Sequence, residues 1–85
     1  MNKIELTDIE IEVLTVMNAR LIYKPDHKKI ETITRSGFPS DQRGNVKKAI
    51  KKLIKKRFII WYNRSKNAIS LNKEKYSEIS EIVKS

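Results

Sequence analysis

The fold is decided by residues 40–72, SDQRGNVKKAIKKLIKKRFIIWYNRSKNAISLN, in which a basic helix is followed at once by a β-hairpin. Apolar residues in its first half recur at the i, i+4, i+7 and i+8 spacing of one helix face, which predicts a helix over residues 40–56. These apolar positions are Val46, Ile50, Leu53 and Ile54. Residues 57–62 are rich in β-formers and residues 68–71 alternate with period two, so they predict two strands joined by the turn residues 63–67.

Charge is distributed unevenly along the chain. Eleven basic residues and no acidic residue lie between Gln42 and Lys73, whereas the rest of the sequence holds eight basic and ten acidic residues. The net charge of +9 is therefore carried by this one segment. Such a basic segment is typical of proteins that bind a polyanion.

Two helices are predicted before this stretch. Thr7 and Glu10 have the spacing of a capping box, and the apolar pattern that follows predicts a first helix over residues 8–21. Its apolar positions are Ile9, Val13, Val16, Met17 and Leu21. Residues 22–25 are expected to be extended, because the residue before a proline avoids the helical region. A second helix is predicted over residues 27–36.

Capping residues mark the other helix ends. We expect Asp26 to cap the second helix, Gly37 to end it in the left-handed conformation, and Ser40 to cap the third helix. Gly44 lies in the first turns of the third helix, where it costs about 1 kcal/mol relative to alanine. It would permit the close approach of the second helix or of a ligand. Asn72 is expected to cap a last helix over residues 73–83.

This element order predicts a single α+β domain over residues 1–85 that is mostly α-helical. It comprises a three-helix core, a two-stranded β-hairpin and a C-terminal helix. Its second and third helices form a helix-turn-helix over residues 27–56. Phe38 and Phe58 are expected in the core. Trp61 and Tyr62 point to opposite sides of a strand, so one of the two rings is expected to be exposed.

No catalytic or metal site is predicted. The chain has no cysteine, which excludes disulfides and thiolate metal sites, and its single histidine, His27, is expected at the surface. Ser65 and Ser70 have no paired base, and there is no glycine-rich phosphate loop. We therefore expect neither enzymatic activity nor a cofactor.

The sequence favours a soluble, cytoplasmic protein. The N-terminal segment MNKIELTDIEIE carries acidic residues where a signal peptide would need an apolar run, and no stretch is long enough to span a membrane. A basic amphipathic helix also suits an anionic membrane surface. However, the apolar stripe of the third helix is narrow and lacks aromatic residues, so no membrane partner is expected.

Residues 30–72, IETITRSGFPSDQRGNVKKAIKKLIKKRFIIWYNRSKNAISLN, resemble the winged helix-turn-helix superfamily, and in particular its small archaeal members. Within them, VKKAIKKLIKKRFI is similar to a recognition helix that runs into the first strand of a wing. Lys56 and Arg57 occupy the corner where many members have glycine or asparagine. The resemblance implies that residues 57–72 form the wing and that the commonest use of the fold is nucleic-acid binding.

The candidate nucleic-acid-binding residues lie on the third helix and at the tip of the wing. Gln42, Arg43 and Asn45 stand at the start of the helix and have side chains suited to bidentate base readout. The lysines that follow are matched to phosphates, and the residues of the wing tip are matched to the backbone or to a minor groove. These charged candidates are Lys47, Lys48, Lys51, Lys52, Lys55, Arg64 and Lys66. Lys28 and Arg35 on the second helix would add phosphate contacts.

Three functions remain open at this stage. The first is a DNA-binding transcriptional regulator that docks helix 40–56 in the major groove, with residues 63–67 on the backbone or in the minor groove. The second is an RNA-binding or ribosome-associated protein, and the third is a protein-interaction module. Duplex DNA is the favoured partner over RNA.

Two further alternatives concern apolar side chains. An exposed ring of the Trp61–Tyr62 pair would be able to stack on a base, although packing in the core or in a dimer is favoured. The chain is expected to be a monomer or a homodimer formed through the first and last helices. Tyr76, Ile79 and Ile82 would form the dimer seam, or else close the core of a monomer, which is slightly favoured.

Overall fold

The computed structural model describes residues 6–84, so residues 1–5 and 85 of the predicted domain lie outside the described residues. The predicted α+β class, mostly helical, is confirmed. The elements are α1 (Asp8–Ala19), β1 (Lys28–Lys29), α2 (Ile30–Gly37), α3 (Arg43–Lys55), β2 (Ile59–Asn63), β3 (Ala68–Leu71) and α4 (Tyr76–Lys84), with single 3₁₀ turns at Ser40–Gln42, Arg64–Lys66 and Lys73–Lys75.

The described strands form one antiparallel sheet in the order β1-β3-β2. The hairpin of β2 and β3 is confirmed, but the third strand, β1, was not predicted, because it has just two residues and both are lysines. The predicted extended segment 22–25 contributes a single bridge, from Tyr23 to Leu71. All four residues of β3 are buried, so their period-two alternation did not mark an exposed face.

Helix α2 begins later than predicted. Lys28 and Lys29 pair with β3, opposite Ile69 and Ala68, and are therefore not available for a helical turn. The first residue of α2, Ile30, donates its backbone N–H to the carbonyl of Asn67 at 3.0 Å. Asp26 is not the N-cap. Lys29 takes that position without a side-chain cap, and the backbone carbonyl of Asp26 accepts the Ser70 hydroxyl at 2.7 Å.

Gly37 is the last residue of α2 and does not adopt the predicted left-handed conformation. The helix stops because Phe38 precedes a proline and is extended, with φ −145° and ψ 151°. The need for glycine at this position is steric. A Cβ atom on Gly37 would lie 3.2 Å from Cγ1 of Val16, so its absence allows α2 to approach α1 closely.

The core lies between the helices and the inner face of the sheet. Helix α1 contributes Glu10, Val13, Leu14 and Met17, whereas Leu21, predicted on the apolar stripe, is 64% exposed. The chain has already left the helix at Leu21, which is left-handed with φ 53°. The remaining fully buried apolar side chains come from the other helices, the strands β2 and β3, and the segments next to them: Ile22, Ile33, Val46, Ile50, Leu53, Phe58, Ile59, Ile69, Leu71 and Ile79.

Helix α3 starts differently from the prediction. Residues 40–42 form a 3₁₀ turn whose N-cap is Pro39, and Gln42 takes the N-cap position of α3, so Ser40 is the N-cap of neither. A Cβ atom on Gly44 would meet nothing within 4 Å, so Gly44 does not serve a close approach to α2. Phe38, predicted in the core, is half-buried.

A Schellman-type corner joins α3 to β2. The N–H of Phe58 donates to the carbonyl of Leu53 and the N–H of Arg57 to that of Ile54. Arg57 takes the left-handed conformation, φ 69°, that glycine or asparagine usually occupies. The side-chain amide of Asn72 donates to the Arg57 carbonyl at 2.8 Å and holds this corner.

The C-terminal segment is a 3₁₀ turn followed by α4, and not one continuous helix over residues 73–83. The predicted Asn72 cap is confirmed, because its side chain accepts from the N–H of Glu74 at 3.0 Å. Ile79 is fully buried in the core of this chain, while Tyr76 is 54% exposed. Ile79 is therefore not available for a dimer seam.

Candidate nucleic-acid interface

Helix α3 buries one side and exposes the other. Val46, Ala49, Ile50 and Leu53 are buried, and the helix contains no acidic residue. Its exposed side carries two rows of polar side chains, one toward the hairpin and one toward α1. The predicted site residues that are exposed on α3 are Arg43, Asn45, Lys47, Lys48, Lys51, Lys52 and Lys55.

The first row faces the hairpin. Lys47 and Lys51 line a groove of about 210 Å³ together with Ile30, Glu31 and Asn67. The backbone hydrogen bond from Ile30 to Asn67 links the start of α2 to the hairpin beside this groove. Asn67 of the hairpin and two lysines of α3 therefore line one groove, together with the acidic side chain of Glu31.

The second row faces the N-terminus of α1. Asn45, Lys48 and Lys52 line a separate groove of about 370 Å³, across from Thr7 and Asp8. Lys55 lies at the other end of α3 and borders the start of β2. The lysines of α3 thus spread over a wide arc instead of forming a single line.

The three proposed base-reading residues are not brought together. Arg43 and Asn45 are two positions apart on an α-helix, which places them roughly 160° apart around its axis. Arg43 shares its side of the helix with Lys47, whereas Asn45 lies in the groove beside α1. Gln42 precedes the helix and is half-buried. Arg43 is the most accessible of the three from the hairpin side.

The tip of the hairpin carries two of the predicted residues in different settings. The guanidinium of Arg64 lies 5.5 Å from the ring centroid of Trp61, a cation–π contact that holds the side chain against the hairpin. Lys66 is exposed and lines a third groove together with Lys28 and Lys29. Lys28 was predicted on the second helix but lies on β1. Lys29 was not among the predicted site residues, because a strand of two residues has no recognisable sequence pattern.

Lys56 is removed from the exposed basic surface by an ion pair. Its ammonium contacts both carboxylate oxygens of Glu10, at 3.2 and 3.3 Å, and Glu10 is only 1% exposed. Glu10 also accepts the backbone N–H of Thr7 at 2.8 Å, which confirms the capping box. Within residues 6–84, the other ion pair joins Lys75 to Glu78, so neither pair uses a lysine from the exposed side of α3.

Exposed aromatic rings lie at two places. Tyr62, the outward-pointing neighbour of half-buried Trp61, is stacked on the ring of His27. Tyr76, the first residue of α4, contacts Tyr23 edge-on. Burial, and secondarily the neighbouring phenol of Tyr76, raises the pKa of Tyr23.

The described part of the chain gives no sign of other chemistry. Residues 6–84 contain no group of three or more His, Cys, Asp or Glu side chains that could hold a metal ion. None of the helices described is both long and apolar enough to cross a membrane. The chain matches no protein-family model, no curated protein and no solved structure.

Proposed function

We propose that this chain is a winged-helix protein that binds duplex DNA, with α3 as its recognition helix and the β2–β3 hairpin as its wing. The observation that carries the proposal is the exposed side of α3, which bears Arg43 and five lysines, with no acidic residue in the helix. The proposal includes a role in transcription regulation, which is the form of DNA binding favoured by the sequence.

The element order supports the winged-helix part of the proposal. In this order, α1-β1-α2-α3-β2-β3, the short first strand pairs with the last and the basic helix leads directly into the hairpin. At the helix–wing corner Arg57 adopts the left-handed conformation that glycine would adopt more easily. A left-handed arginine costs about 1–2 kcal/mol, and the hydrogen bond from Asn72 offsets part of that cost.

The shape of the basic surface favours duplex DNA. Helix α3 has 13 residues and is therefore about 20 Å long, and the major groove of B-DNA is wide enough to admit it. Its two rows of lysines are about 100° apart around the helix axis, which suits the two phosphate backbones that border such a groove. A-form RNA has a major groove too narrow for a helix, so RNA would not use both rows.

Competition between nucleic acids tests the proposal. Binding of labelled random-sequence duplex DNA should resist displacement by structured RNA and by single strands at equal nucleotide concentration. Preferential displacement by RNA would replace the proposal with the RNA-binding alternative. Absence of binding to either nucleic acid at low salt would leave a protein-interaction module, with the lysines of α3 as a solvated surface.

Two substitutions on α3 should have different effects on DNA affinity. Lys51→Ala removes a point charge, so it should weaken all sequences alike and reduce the slope of log affinity against log salt by about 1. Arg43→Ala removes a fork-shaped donor, so it should relax discrimination at one base pair by about 1–3 kcal/mol. Lys84→Ala, which removes a charge from α4, is the control for net charge. Identical behaviour of the two variants on a set of single-base site variants would contradict base readout by Arg43.

A further inference from the structure

A second surface beside the proposed DNA-binding helix contains an aromatic stack. The rings of His27 and Tyr62 lie with their centroids 3.9 Å apart and their planes within 6° of parallel. Both side chains are exposed, and Tyr62 is 42% exposed. Nδ1 of His27 lies 3.2 Å from the carbonyl oxygen of Pro25. A carbonyl only accepts, so in the tautomer protonated at Nδ1 this contact is a hydrogen bond that holds the ring on its own loop.

Basic side chains surround this stack. His27 and Tyr62 line a groove of about 610 Å³ between β1 and the hairpin, and the same groove is lined by Lys28, Lys29, Asn63 and Lys66. Its volume is within the range of about 300–1,000 Å³ of small-ligand sites. No acidic side chain is among the residues that line it. The groove therefore combines a planar apolar surface with three positive charges.

The groove is continuous with the hairpin side of α3. Lys29 is followed directly by Ile30, and Lys66 by Asn67, and these two following residues belong to the groove that holds Lys47 and Lys51. The hydrogen bond between Ile30 and Asn67 forms the border between the two grooves. A strand that leaves a duplex bound on α3 would cross only the short uncharged border of Ile30 and Asn67 before it reaches Lys29, Lys66 and the His27–Tyr62 stack.

We propose that this groove binds an unpaired stretch of DNA next to the duplex, with a base stacked on the His27–Tyr62 pair and its phosphates on Lys28, Lys29 and Lys66. The proposal rests on the proposed DNA-binding function, and it identifies the preferred substrate as a duplex with a single-stranded extension. Stacking on an aromatic ring accepts any base, while lysines hold the backbone, so binding in this groove is independent of sequence.

The test compares a blunt duplex with the same duplex carrying a short thymidine extension, by fluorescence anisotropy with the intact chain. Stacking of one base adds about 1–3 kcal/mol, so the extension should raise affinity about fivefold to a hundredfold. Tyr62→Leu and His27→Ala should abolish this gain and leave blunt-duplex affinity within about twofold, whereas Tyr62→Phe, which keeps the stack, should retain it. Tyr76→Leu, at an exposed tyrosine outside the groove, is the matched control, and thermal unfolding verifies that each variant is folded.

The possible outcomes separate this inference from the function on which it rests. Two results would overturn the groove proposal and leave the function of α3 intact. In the first, the blunt duplex binds but the extension adds no affinity. In the second, the gain in affinity from the extension survives both Tyr62→Leu and His27→Ala. A third result would support the groove proposal and contradict the role of α3. In it, thymidine single strands bind in a way that depends on Tyr62, and the blunt duplex does not bind.

Discussion

Raising the salt concentration from about 50 to about 200 mM is expected to weaken duplex DNA binding about a thousandfold, if at least six phosphates are neutralised. Eight basic candidates are exposed on α3 and at the hairpin tip, so six contacts is a conservative figure: Arg43, Lys47, Lys48, Lys51, Lys52, Lys55, Arg64 and Lys66. The physical cause is the release of condensed counterions from the DNA, which is favoured less as the salt concentration rises.

A triple substitution tests whether these contacts lie on α3. In a variant with Lys47→Ala, Lys51→Ala and Lys55→Ala, three fewer phosphates are neutralised, so the same change in salt should weaken binding only about fortyfold. The control variant carries Lys24→Ala, Lys73→Ala and Lys84→Ala, which remove equal charge from exposed positions outside α3. Equal salt slopes for the two triple variants would mean that α3 is not the contact surface and that only the net charge matters.

Lys56→Met is expected to lower the free energy of unfolding by about 2–3 kcal/mol. The substitution leaves the carboxylate of Glu10, which is 1% exposed, without the ammonium that contacts both its oxygens. The expected loss is below that of a fully buried pair, because the Lys56 side chain is 35% exposed and Glu10 keeps the N–H of Thr7. For a domain of this size the melting temperature should fall on the order of 15 °C.

A second variant separates loss of the charge pair from loss of packing. Adding Glu10→Gln to Lys56→Met removes the unpaired buried charge while the amide oxygen still accepts the N–H of Thr7, so it should restore most of the stability. Chemical denaturation of the single and double variants measures both changes. If the double variant is as unstable as Lys56→Met alone, the carbon chain of Lys56 and not its charge supports the fold.

Elements with a strong periodic pattern could be predicted from the sequence. The stripe of Val46, Ile50 and Leu53 located α3, and the turn residues 63–67 located the hairpin. On α1 the predicted positions Val13 and Met17 are buried, but Leu14 and Glu10 were missed and Leu21 is exposed. Glu10, Val13, Leu14 and Met17 do have i, i+3, i+4 and i+7 spacing, but a glutamate at the first position hid it.

Features that depend on contacts distant in sequence could not be predicted. Strand β1 exists because β3 pairs with Lys28 and Lys29, and no local preference of two lysines indicates a strand. The same holds for the Glu10–Lys56 pair, which joins residues 46 positions apart, and for the stacking of His27 on Tyr62. At Gly37, the sequence predicted a left-handed helix end. The structure shows instead that glycine is needed there because a Cβ atom would lie too close to Val16.

The two short outer strands of the sheet have a consequence for how the protein behaves when it is concentrated. An exposed sheet edge can recruit a strand from another molecule and start an aggregate. Here the β1 edge is only two residues long and carries Lys28 and Lys29, and the β2 edge is interrupted by a register shift between Trp61 and Asn63. Neither edge offers a long, regular row of hydrogen-bonding groups to a neighbour. Lys28 and Lys29 thereby protect the sheet against self-association as well as line the groove beside it.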